Sequence, residues 1–375
     1  MNIPKITTIA SICFLILSSC SKDDTPTNSP QSLKDEIENQ EFVKIIEEHV
    51  SDIPKNVQIA IAVIDQENTE YIGIHKKNNV LRRTDNADRI FEIGSITKIF
   101  TGICLSKLVA MGQASLTETI QDQFDFSLLA GGDITLLQLA NHTSGLSRHP
   151  TNIDEVQDFD INNPFAHYDI NHLKSYLQNH IVLNAESGTQ YQYSNLGMGM
   201  LSYILSKKMM TSYEELVQEY IFKPLEMTNS TTIMANVNTE KLAPGHNENG
   251  NPVQNWDYTE IWTGTGAIKS SILDMEKFVH KNFKDDMIYN LPQKTTFKTE
   301  GESIGLGWHI LESDGFRILN HTGGSSGYAS YIGMDKHNKR AIIVLSNVSG
   351  LTESIYAYKI NELGADLLEQ ISLLR

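Results

Sequence analysis

Glu92-Ile93-Gly94-Ser95-Ile96-Thr97-Lys98-Ile99-Phe100 is the stretch of this 375-residue chain from which the fold can be worked out. A glycine before a serine, then an apolar run through Ile99, Phe100, Ile103, Leu108 and Val109, reads as a loop entering a helix. Ser95 falls at that helix's N-terminus, near the positive end of the helix dipole. Lys98, three residues on, shares its face. The spacing therefore sets an amine beside a hydroxyl. A serine hydroxyl is a weak nucleophile until a neighbour takes its proton. A lysine can take it once burial lowers its pKa from about 10.4. Taken alone, the same residues also describe a helix with a capping serine and a solvated lysine.

Outward from this stretch, the two ends of the chain read alike. Val57 to Ile64 and Thr69 to Ile74 are apolar-rich and flank Asp65-Gln66-Glu67-Asn68, as in a β-hairpin. Before them, Ser32-Leu33-Lys34-Asp35 has the form of a capped helix start, continued by Leu33, Ile37, Val43, Ile46 and Val50 at helical spacing. Helical patterns dominate from about Ile96 to Phe283. Strand patterns return at Leu306–Leu311, Phe316–Leu319, Tyr328–Met334 and Ala341–Ser346, with turns at Asp314-Gly315 and Lys336–Lys339. The tail from Thr352 to Leu374 reads as a helix striped by Ile355, Ile360, Leu363, Leu367 and Ile371. Strands at both ends and helices between predict an α/β chain of the α+β type. One antiparallel sheet is built from both chain ends and flanked by helices, with a mainly helical inserted subdomain. One domain is expected over 33–375, with sheet parts at about 33–95 and 300–375 and a helical part at about 96–299. A cleft between the parts is the expected catalytic site.

Two more short motifs follow in order, Tyr193-Ser194-Asn195 and His321-Thr322-Gly323. Tyr-x-Asn occurs once among 14 tyrosines, and His-Thr-Gly once among 12 histidines, so neither is a repeated accident. With Ser95-Ile96-Thr97-Lys98 they resemble the three motifs of the penicillin-recognising serine hydrolases. That group includes class C β-lactamases, D-Ala-D-Ala carboxypeptidases and related esterases. The resemblance runs over about residues 45–370. Leu136–Leu146 is similar to the group's LLxHTSGL stretch, and Lys223–Thr228 to its PLGMxxT segment, with Glu226 where glycine is usual. Gly264-Thr265-Gly266, before an expected capping box at Ser271–Asp274, and Gly305-Leu306-Gly307-Trp308 extend it.

The resemblance implies roles. Ser95 attacks a carbonyl carbon and becomes acylated. Lys98 and Tyr193 handle protons, and which of them is the base stays open. Asn195 holds Lys98 and the substrate amide. The backbone N–H groups of Ser95 and Gly324 stabilise the developing oxyanion. His321, Thr322 and Gly323 line the substrate strand. Cell-wall-like D-amino-acid peptides are the expected substrates, ahead of esters and β-lactams, with a low-turnover penicillin-binding or sensing surface protein as the alternative to an efficient enzyme. His321 stands where typical β-lactamases carry lysine. If it grips a carboxylate as imidazolium, KM for an anionic substrate should rise between pH 6 and 8. Tyr-Ser-Asn in place of Ser-Asp-Asn argues against the mechanism that uses a separate glutamate base. Glu186-Ser187-Gly188 departs from the group's Pro-Gly and implies a different loop.

Gly323-Gly324-Ser325-Ser326-Gly327 also fits Gly-x-Ser-x-Gly, a motif that requires a strand, a sharp turn and a helix. The alternating residues of Tyr328–Met334 predict a strand there instead. The scattered histidines, His167, His172 and His180 among them, give no metal-ligand spacing, so neither metal nor cofactor is expected. Cys104 reads as a buried small apolar residue.

The N-terminus reads as an address. Lys5 precedes a mostly apolar run from Ile6 to Leu17, too short to span a bilayer and sized like a signal-peptide core. Leu17-Ser18-Ser19-Cys20 resembles the bacterial lipobox, which implies cleavage after residue 19 and lipidation of Cys20. Residues 20–32 read as a flexible tether. Its Lys22-Asp23-Asp24 is similar to a surface-export signal. The expected location is thus the cell envelope, lipid-anchored to a bacterial membrane, with a monomeric domain. The net charge of −16 argues against a nucleic-acid partner, which would call for a basic face.

Overall fold

The computed structural model describes residues 33–373 apart from Asn78 and Asp314. The signal segment, Cys20, the tether, Ser32 and Asp314 lie outside the described residues. In chain order come α1 (Leu33–Glu36), α2 (Gln40–Val50), β1 (Gln58–Asp65), β2 (Asn68–Lys77), β3 (Val80–Arg83) and β4 (Ile90–Glu92). A 3-10 turn over Gly94–Ile96 leads into α3 (Thr97–Ala110), followed by α4 (Leu136–Ala140), α5 (Ile170–Asn179), α6 (Asn195–Met209), α7 (Tyr213–Val217) and α8 (Thr263–Gly266). Then come β5 (Lys269–Ser271), α9 (Ile272–Phe283), α10 (Met287–Asn290), β6 (Phe297–Lys298), β7 (Ser303–Ile304) and β8 (His309–Ser313). The chain ends through β9 (Phe316–Gly324), β10 (Ala329–Asp335), β11 (Arg340–Ser346) and α11 (Ile355–Leu373).

Nine strands form one antiparallel sheet in the order β3-β2-β1-β11-β10-β9-β8-β7-β6. β1 from the N-terminal part lies beside β11 from the C-terminal part, with Ile59 opposite Ser346 and Asp65 opposite Arg340. The sheet is therefore closed by both chain ends, as the strand pattern predicts. Alternation along the strands sorts side chains to two cores. Ile59, Ile61 and Val63 face the cluster shared with α2 and α11, while Ala60, Ala62 and Ile64 face the cluster shared with α3, α6 and α9. Both faces are covered, which is why β1, β10 and β11 read as nearly continuous apolar runs.

Several local expectations are corrected. The helix expected to run unbroken from residue 33 to 50 is two helices. The Asn39 side chain accepts the N–H groups of Glu41 and Phe42 at 3.1 and 3.2 Å and so caps a new start at α2. The strand expected over Leu306–Leu311 begins only at His309. Leu306 and Gly307 donate their N–H groups to Pro292 and Ala140, away from any strand. Ser271 caps α9 by accepting from Asp274 N–H, but the capping box does not close. The Asp274 carboxylate instead accepts from Asn229 N–H at 2.7 Å and the Ser230 hydroxyl at 2.9 Å. Glu226 has φ of 55°, the left-handed region that explains why glycine is usual at this turn. β4 and β5 form a separate two-stranded ladder that pins the start of α9 to the segment before Ser95.

Candidate active site

Ser95 sits in the turn between β4 and α3. Gly94 before it takes φ of +50°, and a Cβ there would lie 2.5 Å from the Gly324 amide nitrogen. The turn is thus seated against the end of β9, which only a glycine permits. Lys98, on the first turn of α3, is 0 % exposed. Its amine lies 2.9 Å from Ser95 Oγ and donates to the Thr265 carbonyl at 2.8 Å. Burial, and then the Arg148 guanidinium, hold the Lys98 pKa well below the ordinary lysine range. A neutral amine keeps a lone pair, and the Ser95 hydroxyl is within its reach.

Tyr193-Ser194-Asn195 straddles a helix start. Ser194 caps α6, accepting Gly197 N–H at 2.9 Å and donating to the Ser147 carbonyl at 2.8 Å. Tyr193 stands just before the cap, its ring centroid 4.9 Å from the Lys98 amine. Burial pushes the Tyr193 phenol up to about 12, against the opposing pull of the Ser95 hydroxyl and Arg148. The phenol therefore stays protonated at neutral pH. His142 fixes this loop from both sides. Its carbonyl accepts Gln192 N–H at 2.7 Å, and its Nδ1 accepts Ser194 N–H at 3.1 Å. Its ring lies 4.5 Å from that of Tyr193. Burial above all, with Lys98 next, keeps this imidazole neutral.

Asn195 departs from its expected contact. Its amide donates to His149 Nε2 at 2.9 Å, whereas the Lys98 amine is held by Ser95 and the Thr265 carbonyl. Burial and the neighbouring Arg148 bring His149 down to about 4, so it is a neutral acceptor.

The third motif lies on β9. His321 is opposite Ile332 and Gly323 opposite Ser330, so both point to the sheet face that packs on α3. Gly323 meets the Ile93 carbonyl with no room for a Cβ. His321 Nδ1 donates to the Thr322 carbonyl at 2.6 Å, which leaves Nε2 as a lone-pair acceptor. Burial, then His309 and Lys98, hold its pKa well below 6.5. That direction works against the imidazolium that would grip a carboxylate. The Gly-x-Ser-x-Gly reading finds no elbow either. The segment joins β9 to β10, and Ser325 donates its hydroxyl to Glu92 at 2.6 Å.

These side chains open onto a cavity of about 440 Å³ whose walls include Ser95, Arg148, Tyr193, His309, His321 and Tyr358. Arg148, His149, His142 and His309 were not singled out from the sequence. His142 lies within the matched stretch Leu136–Leu146, and Arg148 and His149 stand two and three residues beyond its end, so proximity to that stretch was the available signal. His309 directly follows the matched Gly305–Trp308 segment, and it joins the site through its ring contact with His321, 5.1 Å away, and its bond to Glu302. Cys104 is buried, its thiol pushed up to about 12 by burial, as an inert packing residue would be. Among the described residues no three His, Cys, Asp or Glu side chains converge on a metal-sized site.

A large antiparallel sheet flanked by helices, with the Ser-x-x-Lys turn where they meet, is the architecture of the penicillin-recognising serine hydrolases that this chain resembles in fold. The chain belongs to the Beta-lactamase family, whose sequence model matches residues 47–364. It is 28 % identical over 323 residues to a beta-lactamase of Escherichia coli K12, covering 80 % of this chain and 75 % of that one. It is 23 % identical over 273 residues to Protein flp of Staphylococcus aureus MW2, covering 69 % of this chain and 53 % of that protein. The chain thus spans about half the length of the latter relative. A beta-lactamase/D-alanine carboxypeptidase structure from Pseudomonas syringae superposes with a TM-score of 0.70 at 20 % identity, over 88 % of this chain and 97 % of that one. That likeness is one of fold.

Proposed function

We propose that the protein is a serine hydrolase working through an acyl-enzyme on amide or ester carbonyls, with D-amino-acid peptides as its first substrate class. The observation that carries this reading is the fully buried Lys98 amine 2.9 Å from Ser95 Oγ, with its pKa far below the usual range. Such an amine can accept a proton at neutral pH. Ser95 Oγ bonds to the carbonyl carbon as its proton passes to Lys98 Nζ. Negative charge gathers on the substrate oxygen, facing the N–H groups of Ser95 and Gly324. The leaving amine or alkoxide takes the Tyr193 phenol proton as its bond to carbon breaks, and Lys98 returns its proton to Tyr193. Water then releases the acyl group by the reverse sequence. The raised pKa of Tyr193 supports the acid role and the lowered pKa of Lys98 the base role.

The choice of peptide over β-lactam rests on His321 in place of lysine; the proteins of like fold include both beta-lactamases and D-alanine carboxypeptidases. The lipobox at Cys20 supports tethering of this domain to a bacterial envelope membrane. Intact mass after exposure to a fluorophosphonate, and separately to a penicillin, tests the reading. A fluorophosphonate adduct on Ser95 is expected, with a lasting penicilloyl adduct for a carboxypeptidase. Labelling by fluorophosphonate beside unreacted penicillin would redirect the assignment to an esterase or another peptidase. No adduct on folded protein would overturn the acyl-enzyme.

A further inference from the structure

We propose that Arg148 recognises a carboxylate on the substrate, a proposal that rests on the acyl-transfer reading of Ser95. Arg148 is exposed, and its guanidinium stands 5.1 Å from the Tyr193 ring centroid at the wall of the 440 Å³ cavity. Its own carbonyl accepts Leu196 N–H at 3.1 Å, which ties its loop to the first turn of α6. Among the described residues lining that cavity, it is the one lysine or arginine, and none is aspartate or glutamate. No carboxylate among the described residues pairs with it. Glu302, which pairs with the wall residue His309, is already bonded to its Nδ1 at 2.9 Å.

The other groups that could bring a positive charge to this task are neutral-leaning or occupied. His321 stands at the strand position, buried, with Nδ1 donating to Thr322 and Nε2 presenting a lone pair. A lone pair repels a carboxylate. Lys98 is spent on Ser95 and Thr265. A chain of net charge −16 otherwise repels anions, so a fixed, always-charged guanidinium at the cavity wall sets the local field against the global one. Arginine also offers two parallel N–H donors to one carboxylate.

The test uses a matched pair of thioesters, one ending in a free carboxylate and the other its methyl ester. In Arg148→Gln the ratio of kcat/KM for acid over ester should fall at least tenfold, and Arg148→Lys should recover part of it. An equal fall on both substrates would mean that Arg148 acts through Tyr193, and it would overturn the proposal; so would an unchanged ratio. Calorimetric binding of benzoylglycine and its methyl ester needs no turnover. Wild type should prefer the acid, and Arg148→Gln should lose that preference at least tenfold. Wild type binding both alike would overturn the role of Arg148. Wild type that binds the acid but cleaves neither thioester would instead count against the acyl-transfer reading.

Discussion

Lys98 and Lys269 are both almost completely buried, and both adjoin the segment 263–271, yet their surroundings are opposite in sign. Lys98 is held by the Thr265 carbonyl, and after burial its next influence is a cation, Arg148, which lowers its pKa further. Lys269 lies opposite Glu92 across the β4–β5 ladder, 5.5 Å from the Tyr258 ring centroid. Burial lowers its pKa too, but Glu92, Asp257 and Glu214 pull it back. Lys269 lines the larger cavity, about 820 Å³ against 440 Å³, so volume does not mark the chemistry. Burial alone makes a lysine costly; burial without carboxylates, beside a hydroxyl, is the setting that favours an amine able to accept a proton.

The largest expected effect separates the two lysines directly. Ser95→Ala should abolish fluorophosphonate labelling, and Lys98→Met should slow it by roughly 10³-fold, within the range of lost general-base catalysis. Lys269→Met should stay within about threefold of wild type, since it alters no proton path. Labelling time courses on the three variants decide it. A loss in Lys269→Met as deep as in Lys98→Met would break the comparison.

Tyr193→Phe should produce the next effect. Turnover of an ester or peptide should drop ~10²-fold, because the leaving group then lacks its acid. Labelling by fluorophosphonate should drop much less, since fluoride leaves without a proton. Equal losses in the two assays would move Tyr193 from acid to base and take that role from Lys98.

The pH profile sharpens the comparison further. An ordinary lysine base would give a labelling rate that climbs tenfold per pH unit up to about 10.4. With burial and Arg148 holding the Lys98 pKa well below that value, and the Tyr193 phenol pushed up to about 12, the climb should end well before pH ~10.4. The rate should be flat between pH 8 and 10. A tenfold-per-unit climb across that interval would place Lys98 among ordinary lysines. KM for an anionic substrate should likewise show no step centred near 6.5, because burial, His309 and Lys98 lower the His321 pKa from that value.

How much of this was legible in the sequence differs by element. β1, β10 and β11 are seven or eight residues long and alternate between two cores, so their apolar content marks them. β4, β6 and β7 are two or three residues, too short for any period to show. Ser95, Lys98 and Tyr193 are written in local motifs. The partner of Lys98, Thr265, acts through its backbone carbonyl, and a carbonyl leaves no trace in residue identity. The hold of Asn195 by His149, and of Tyr193 by His142, depends on a loop folding back onto the start of α6. No spacing encodes that approach. Nor could the lowered pKa of His321 be read, since it follows from burial and from His309 and Lys98, which only the fold brings beside it.

The smallest effect is on stability, and there the two lysines should differ in sign. Lys98 binds its proton more weakly folded than unfolded. Between its folded pKa and about 10.5 the unfolded chain therefore holds more protons, and stability rises with pH. Below the folded value the cost is fully present, about 1.4 kcal/mol for each unit of depression. Lys98→Met removes that cost and loses a hydrogen bond to Thr265 worth about 1 kcal/mol. The variant should therefore be more stable than wild type at pH 7, with the gap narrowing as pH approaches 10.5. Lys269→Met removes the positive charge facing Glu92, which is 2 % exposed and hydrogen-bonded to Asn255 and Ser325. That carboxylate then lacks its cation, and the variant should be less stable by roughly 1–3 kcal/mol. Urea unfolding at pH 7 and pH 9.5 measures both. If the two substitutions shift stability in the same direction at pH 7, the carboxylates around Lys269 do not set it apart, and burial alone governs both sites.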